Sequence, residues 1–101
     1  MRKEEIIQSI KNTAKQIMPK GSKVILFGSQ ARGDAHADSD WDILVLLDKE
    51  KLVEADHDNY SYPLWHIDVQ IHPMLYTIKD WAARNFSPLY KNVEQDGIVL
   101  C

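Results

Sequence analysis

Two uninterrupted apolar runs constrain this chain more than any other feature. Val24-Ile25-Leu26-Phe27 and Ile43-Leu44-Val45-Leu46-Leu47 carry no polar residue on either parity. Side chains alternate across a strand, so runs apolar on both parities read as strands buried on both faces. Both fall far short of the roughly 20 residues a membrane-crossing helix needs. The spacer between them, Gly28 to Ser39, is polar and holds two glycines. It is too long for a hairpin loop and has room for a turn and a short helix.

Around these runs the pattern predicts helices. Ile6, Ile7, Ile10, Ala14, Ile17 and Met18 recur at helical spacing until Pro19 and Gly21, which places a first helix at about residues 3–18. His66-Ile67-Asp68-Val69-Gln70-Ile71 alternates polar and apolar before Pro73, the mark of a third, half-buried strand. Thr77-Ile78-Lys79-Asp80 is a capping box opening a helix to about Phe86. Ser87-Pro88 starts another, closed where Gly97 can take a positive φ, and Ile98-Val99-Leu100 can return as a short strand. The charged stretch from Asp48 to Ser61 has no clear period, and its Lys and Glu up to Glu54 read as a solvated face. The expectation is one mixed α/β (α+β) domain over residues 1–101, a small mixed sheet flanked by helices.

At 101 residues and 45% hydrophobic, the chain can bury a core without disulfides, and its one cysteine, Cys101, has no internal partner. The Arg2-Lys3-Glu4-Glu5 start lacks the apolar centre of a secretory signal, so a cytoplasmic location is expected. The net charge of −3 is uneven. Residues 1–34 carry seven Lys and Arg against three acids, whereas residues 35–74 carry two against nine. An acidic middle argues against long nucleic acid as partner and is relieved by solvation, by the basic first third, or by a bound divalent cation.

The chemistry gathers between the two apolar runs. Asp40 and Asp42 open the second strand on one face, with Trp41, Ile43 and Val45 on the other. In the predicted third strand His66, Asp68 and Gln70 share the polar face, along with His72 by parity. Asp68 therefore joins the pair if the strands are neighbours. Three convergent carboxylates suit Mg²⁺, which prefers oxygen ligands and completes its shell with water and phosphate. Gly28-Ser29, at the end of the first strand, offers backbone N–H groups and a hydroxyl to phosphate oxygens.

Gly28-Ser29, ten residues, Asp40-Trp41-Asp42 and a later strand aspartate resemble the DNA polymerase beta nucleotidyltransferase superfamily. Within it, Gly-Ser-x-Ala-Arg-Gly-Asp-Ala…Asp-Ser-Asp-x-Asp looks like the minimal nucleotidyltransferase (MNT) domains, over essentially the whole chain. The resemblance implies a polymerase-beta-like fold and transfer of a nucleoside monophosphate, AMP from ATP, to an acceptor hydroxyl. It assigns Asp40 and Asp42 to two Mg²⁺ ions against the triphosphate. Asp68 would serve as the acceptor-side ligand and general base. Gly28 and Ser29 would grip the β and γ phosphates, with Arg32 and Ser39 also at the nucleotide. Many such domains pair with a small helical HEPN toxin and act as its antitoxin by AMPylating it, so a HEPN-type partner is expected. Other acceptors, a small-molecule or RNA hydroxyl, stay open, as does a non-catalytic binding module of the same fold.

Several residues have a second reading. Arg32 can reach a phosphate or brace the loop through Asp34 or Asp38. Ser29 can cap the helix that follows it. A zinc site through His66, Asp68 and His36 lacks the helical His pairing that would support it. The sequence leaves the oligomeric state open, a homo-oligomer included.

Overall fold

The computed structural model describes residues 2–101. Helix α1 (Lys3–Ile17) leads into strand β1 (Lys23–Phe27), the one-turn helix α2 (Ser29–Arg32) and strand β2 (Trp41–Leu47). A short helix α3 (Glu54–Asp56), a π-helical turn (His57–Ser61) and α4 (Tyr62–Trp65) precede β3 (Ile71–Thr77). Helices α5 (Ile78–Ala83) and α6 (Pro88–Asp96) and strand β4 (Ile98–Val99) complete the order.

The sheet runs β3-β2-β1-β4, with β1 antiparallel to both β2 and β4 and β3 parallel to β2. The two apolar runs are its central strands, and helices cover both of its faces. Trp41, Ile43, Val45 and Leu47 pack with Val24, Leu26 and Ile71 against Ile6, Ile10 and Ala14 of α1 and Leu64 of α4. On the other face Phe27, Leu44 and Leu46 meet Trp81 of α5 and Val93 of α6. Among the described residues no helix is long and apolar enough to cross a membrane.

Local signals held where a side chain bonds its own backbone. The Thr77 hydroxyl accepts the Asp80 N–H at 3.0 Å, and the Ser87 hydroxyl accepts the Tyr90 N–H at 3.1 Å, capping α5 and α6 as expected. Helix α5 is shorter than predicted, stopping at Ala83. Gly97 has φ −64°, so a positive φ is not its reason; a Cβ there would strike the Val93 carbonyl.

The third strand lies later than predicted. His66 to Gln70 form a turn, and β3 starts only at Ile71. The register Trp41↔Ile71 to Leu47↔Thr77 carries Pro73 inside the strand, opposite Ile43. Proline cannot donate to a ladder, and it is tolerated here because β3 is the outermost strand.

The stretch after β2 is only partly a solvated face. Asp56 is 4% exposed. Its Oδ2 takes Lys49 Nζ and the Val53 N–H, both at 2.8 Å, and Oδ1 takes Lys49 Nζ at 3.0 Å. These bonds close the N-terminus of α3 and hold the Asp56 pKa below the usual carboxylate range, the Lys49 hydrogen bond acting most strongly.

Candidate active site

The site forms where three strand ends meet. Because β1 and β2 pair antiparallel with Phe27 opposite Asp42, the residue after β1 lies beside the start of β2. Because β3 runs parallel to β2, its first residues reach the same end, with His72 opposite Asp42.

Gly28 is the hinge of this arrangement. Its φ of 76° belongs to the left-handed region, and a Cβ on it would run into the Asp42 carboxylate. The Gly28 carbonyl accepts N–H bonds from Ala31 and Arg32, both at 3.1 Å, winding α2 directly off the strand. Ser29 is the first residue of that helix, and Gly28, not Ser29, occupies the cap.

Asp42 is half-buried on the face of β2 opposite Trp41, as expected. Its pKa is raised above the usual range, first by loss of solvent and then by the Asp40 charge, while His72 and Arg32 pull it down. Asp40 sits just before β2, exposed, with Oδ1 3.2 Å from His72 Nε2. Among the described residues no Lys or Arg reaches ion-pair distance of either carboxylate.

Asp68 is not brought to this pair. The parity that placed it there assumed a strand over 66–71, and that segment is a turn. Asp68 Oδ1 accepts the Gln70 N–H at 2.9 Å, tightening the turn. With Lys3, Gln30, His36 and Trp41 it lines a polar depression. Among the described residues no three His, Cys, Asp or Glu side chains stand together as an ion site.

Arg32 braces the loop. Its Nε lies 3.2 Å from Asp34 Oδ2, and Nη1 lies 3.7 Å from Asp96 Oδ2 at the end of α6. Ser39 orders the same loop, its hydroxyl accepting the His36 N–H at 2.7 Å and its carbonyl the Gln30 side-chain amide at 3.4 Å. Sequence reasoning put His72 on the polar strand face by parity but did not single it out beside the acidic pair, where it replaces Asp68. The clue was the alternation Ile71, Pro73, Leu75 against His72, Met74, Tyr76, masked by reading Pro73 as a stop.

The arrangement is chemically specific. Two carboxylates that no Lys or Arg neutralises, one of them half-desolvated, are hard oxygen donors fitted to a divalent cation whose other positions go to water and phosphate. A backbone turn stripped of Cβ lies against them. Such a site handles phosphate esters.

The chain belongs to the nucleotidyltransferase domain family, whose model matches residues 7–99, and is a nucleotidyltransferase of the DNA polymerase beta kind. It is 38% identical over 89 residues to a Methanocaldococcus jannaschii protein that carries a provisional protein adenylyltransferase name; the match covers 74% of this chain and 85% of that one. Among solved structures, a toxin–antitoxin complex with AMP-PNP superposes at TM-score 0.64 and 22% identity, covering 94% of this chain and 72% of that chain. A Sulfolobus solfataricus protein described as a nucleotidyltransferase superposes at 0.60 and 20% identity, covering 96% and 80%. A mutant of the MntA–HpeT toxin–antitoxin follows at 0.59 and 19% identity, covering 100% and 73%. These likenesses show a shared fold.

Proposed function

We propose that this protein transfers AMP from ATP to a hydroxyl of a partner protein, a small helical toxin of the HEPN type, and so acts as its antitoxin in the cytoplasm. The observation that carries the reading is the Asp40–Asp42 pair, which among the described residues no Lys or Arg reaches, against the Cβ-less turn at Gly28. The provisional protein adenylyltransferase name of the archaeal relative and the toxin–antitoxin neighbours support protein as the acceptor.

Asp40 and Asp42 would hold Mg²⁺, two ions in the full site, and Gly28 and Ser29 would position the triphosphate tail. Bound there, the cations would neutralise charge building on the α-phosphate and on departing pyrophosphate. The acceptor oxygen bonds to the α-phosphorus as the bond to the β-bridging oxygen breaks, and pyrophosphate leaves with that electron pair. The acceptor proton leaves to water or to a carboxylate on the acceptor side, for which Asp68 is this chain's candidate. Arg32 would exchange its contacts with Asp34 and Asp96 for phosphate, and Ser39 would keep the loop closed over the nucleotide. The protein's part is positioning and charge neutralisation.

The test is incubation with Mg²⁺, α-labelled ATP and a lysate of the source cell, beside an Asp40→Asn/Asp42→Asn control. Wild-type-specific label on one small protein is the expected result. Label on a small molecule or on RNA would replace the protein acceptor. No transfer to any acceptor, including the purified toxin, would leave a binding module that neutralises its partner by occlusion.

A further inference from the structure

His72 has no part in the chemistry described so far, yet it occupies a distinctive place. It stands directly opposite Asp42 in the β2–β3 register, and its Nε2 lies 3.2 Å from Asp40 Oδ1. It is the cross-strand neighbour of one carboxylate and lies at ion-pair distance of the other. Asp40 precedes β2, outside the ladder that fixes Asp42, so its carboxylate lacks the support that strand pairing gives its neighbour. Among the described residues the imidazole is the only side chain paired with it.

We infer that His72 is a positioning residue for the divalent cation: its Nε2–H donates to Asp40 Oδ1 and fixes the carboxylate, leaving Oδ2 to the ion. The inference rests on the reading of Asp40 and Asp42 as the cation's ligands. Ligating carboxylates are commonly held by a hydrogen-bonded neighbour, and removal of such a partner typically costs about 10–100-fold in metal affinity. The exposure of both side chains puts His72 at the lower end of that range.

The test titrates Mn²⁺ alone into the full chain and follows paramagnetic broadening of the Gly28 and Trp41 amide signals, with no nucleotide present. His72→Ala should weaken Mn²⁺ roughly tenfold. His72→Gln, whose amide N–H can donate from nearly the same place, should restore most of the affinity. In the Asp40→Asn background His72→Ala should add nothing, since the carboxylate it holds is gone. His72→Ala titrating like wild type while Asp40→Asn weakens Mn²⁺ would overturn the inference and leave the cation site standing. A His72→Gln as weak as His72→Ala would overturn the hydrogen bond as its basis. Unchanged Mn²⁺ binding in Asp40→Asn/Asp42→Asn would remove the cation site itself. His72 and Asp40 are exposed and Asp42 is half-buried, and the amide spectra of the variants report whether each is folded.

Discussion

The carboxylate of Asp42 occupies the space that any side chain at position 28 would need, so Gly28 and Asp42 form a single unit although the loop between them is 13 residues long. Gly28→Ala should therefore fail twice, through a left-handed φ and through collision with the carboxylate. The expected cost is about 1–3 kcal/mol, seen in urea unfolding, together with loss of label transfer. A variant that kept wild-type stability and transfer would show that the turn and the acid can separate freely.

Asp42 should behave as an acid the folded state holds at a cost. Its pKa is raised on folding, so the native protein binds the proton more tightly than the unfolded chain, and stability falls as pH rises through the carboxylate range. At neutral pH without divalent cation, Asp42→Asn should melt at or above wild type, with the difference closing near pH 3. Added Mg²⁺ should raise the melting temperature of wild type and leave the variant unmoved. Calorimetry with and without Mg²⁺ checks both.

Asp56 is the opposite case. Its pKa is lowered on folding, so its contribution is complete above the ordinary aspartate range and fades as pH falls through the folded value. Asp56→Ala should cost about 1–3 kcal/mol at pH 7, because Lys49 Nζ and the Val53 N–H lose their acceptor. At pH 3 the gap to wild type should narrow. Urea unfolding at the two pH values decides it, and an unchanged gap would mean the ion pair is not its source.

Arg32 separates bracing from catalysis. Its guanidinium is solvent-exposed and its contacts with Asp34 and Asp96 are screened, so they add little to stability. Arg32→Ala should therefore melt within a few degrees of wild type while the KM for ATP rises severalfold. A large loss of stability with unchanged KM would make Arg32 a strut only.

Much of the fold was legible because its signals are local or two-sided. Ile43 to Leu47 could be read as a central strand since apolar residues on both parities demand cover on both faces. Thr77 and Ser87 could be read as caps because each bonds a backbone N–H three residues on. Gly28-Ser29 and Asp40-Trp41-Asp42 could be grouped from their spacing alone, and it is the antiparallel pairing of β1 and β2, absent from that reading, that brings Gly28 beside Asp42. Asp68 was misplaced because alternation over a few residues suits a strand or a turn equally, and only the β2 register distinguishes them. Pro73 looked like a stop because sequence does not tell an outer strand from an inner one. Asp56 hid among charges, since its burial depends on where Lys49 falls in space.

The central position of β2 has a consequence for motion. Both helical layers rest on it, β3 pairs along it from Trp41 to Leu47 and β1 from Asp42 to Leu46, so its amides should be released to solvent only when the whole sheet comes apart. Asp42 is carried on that strand, one residue from the Trp41 N–H that bonds the Gln70 carbonyl at 2.9 Å. Asp42 should thus share the slow hydrogen exchange of the central strand, while the Asp40 amide, outside the ladder, should exchange faster. Across Trp41, the two halves of one acidic pair live on different clocks.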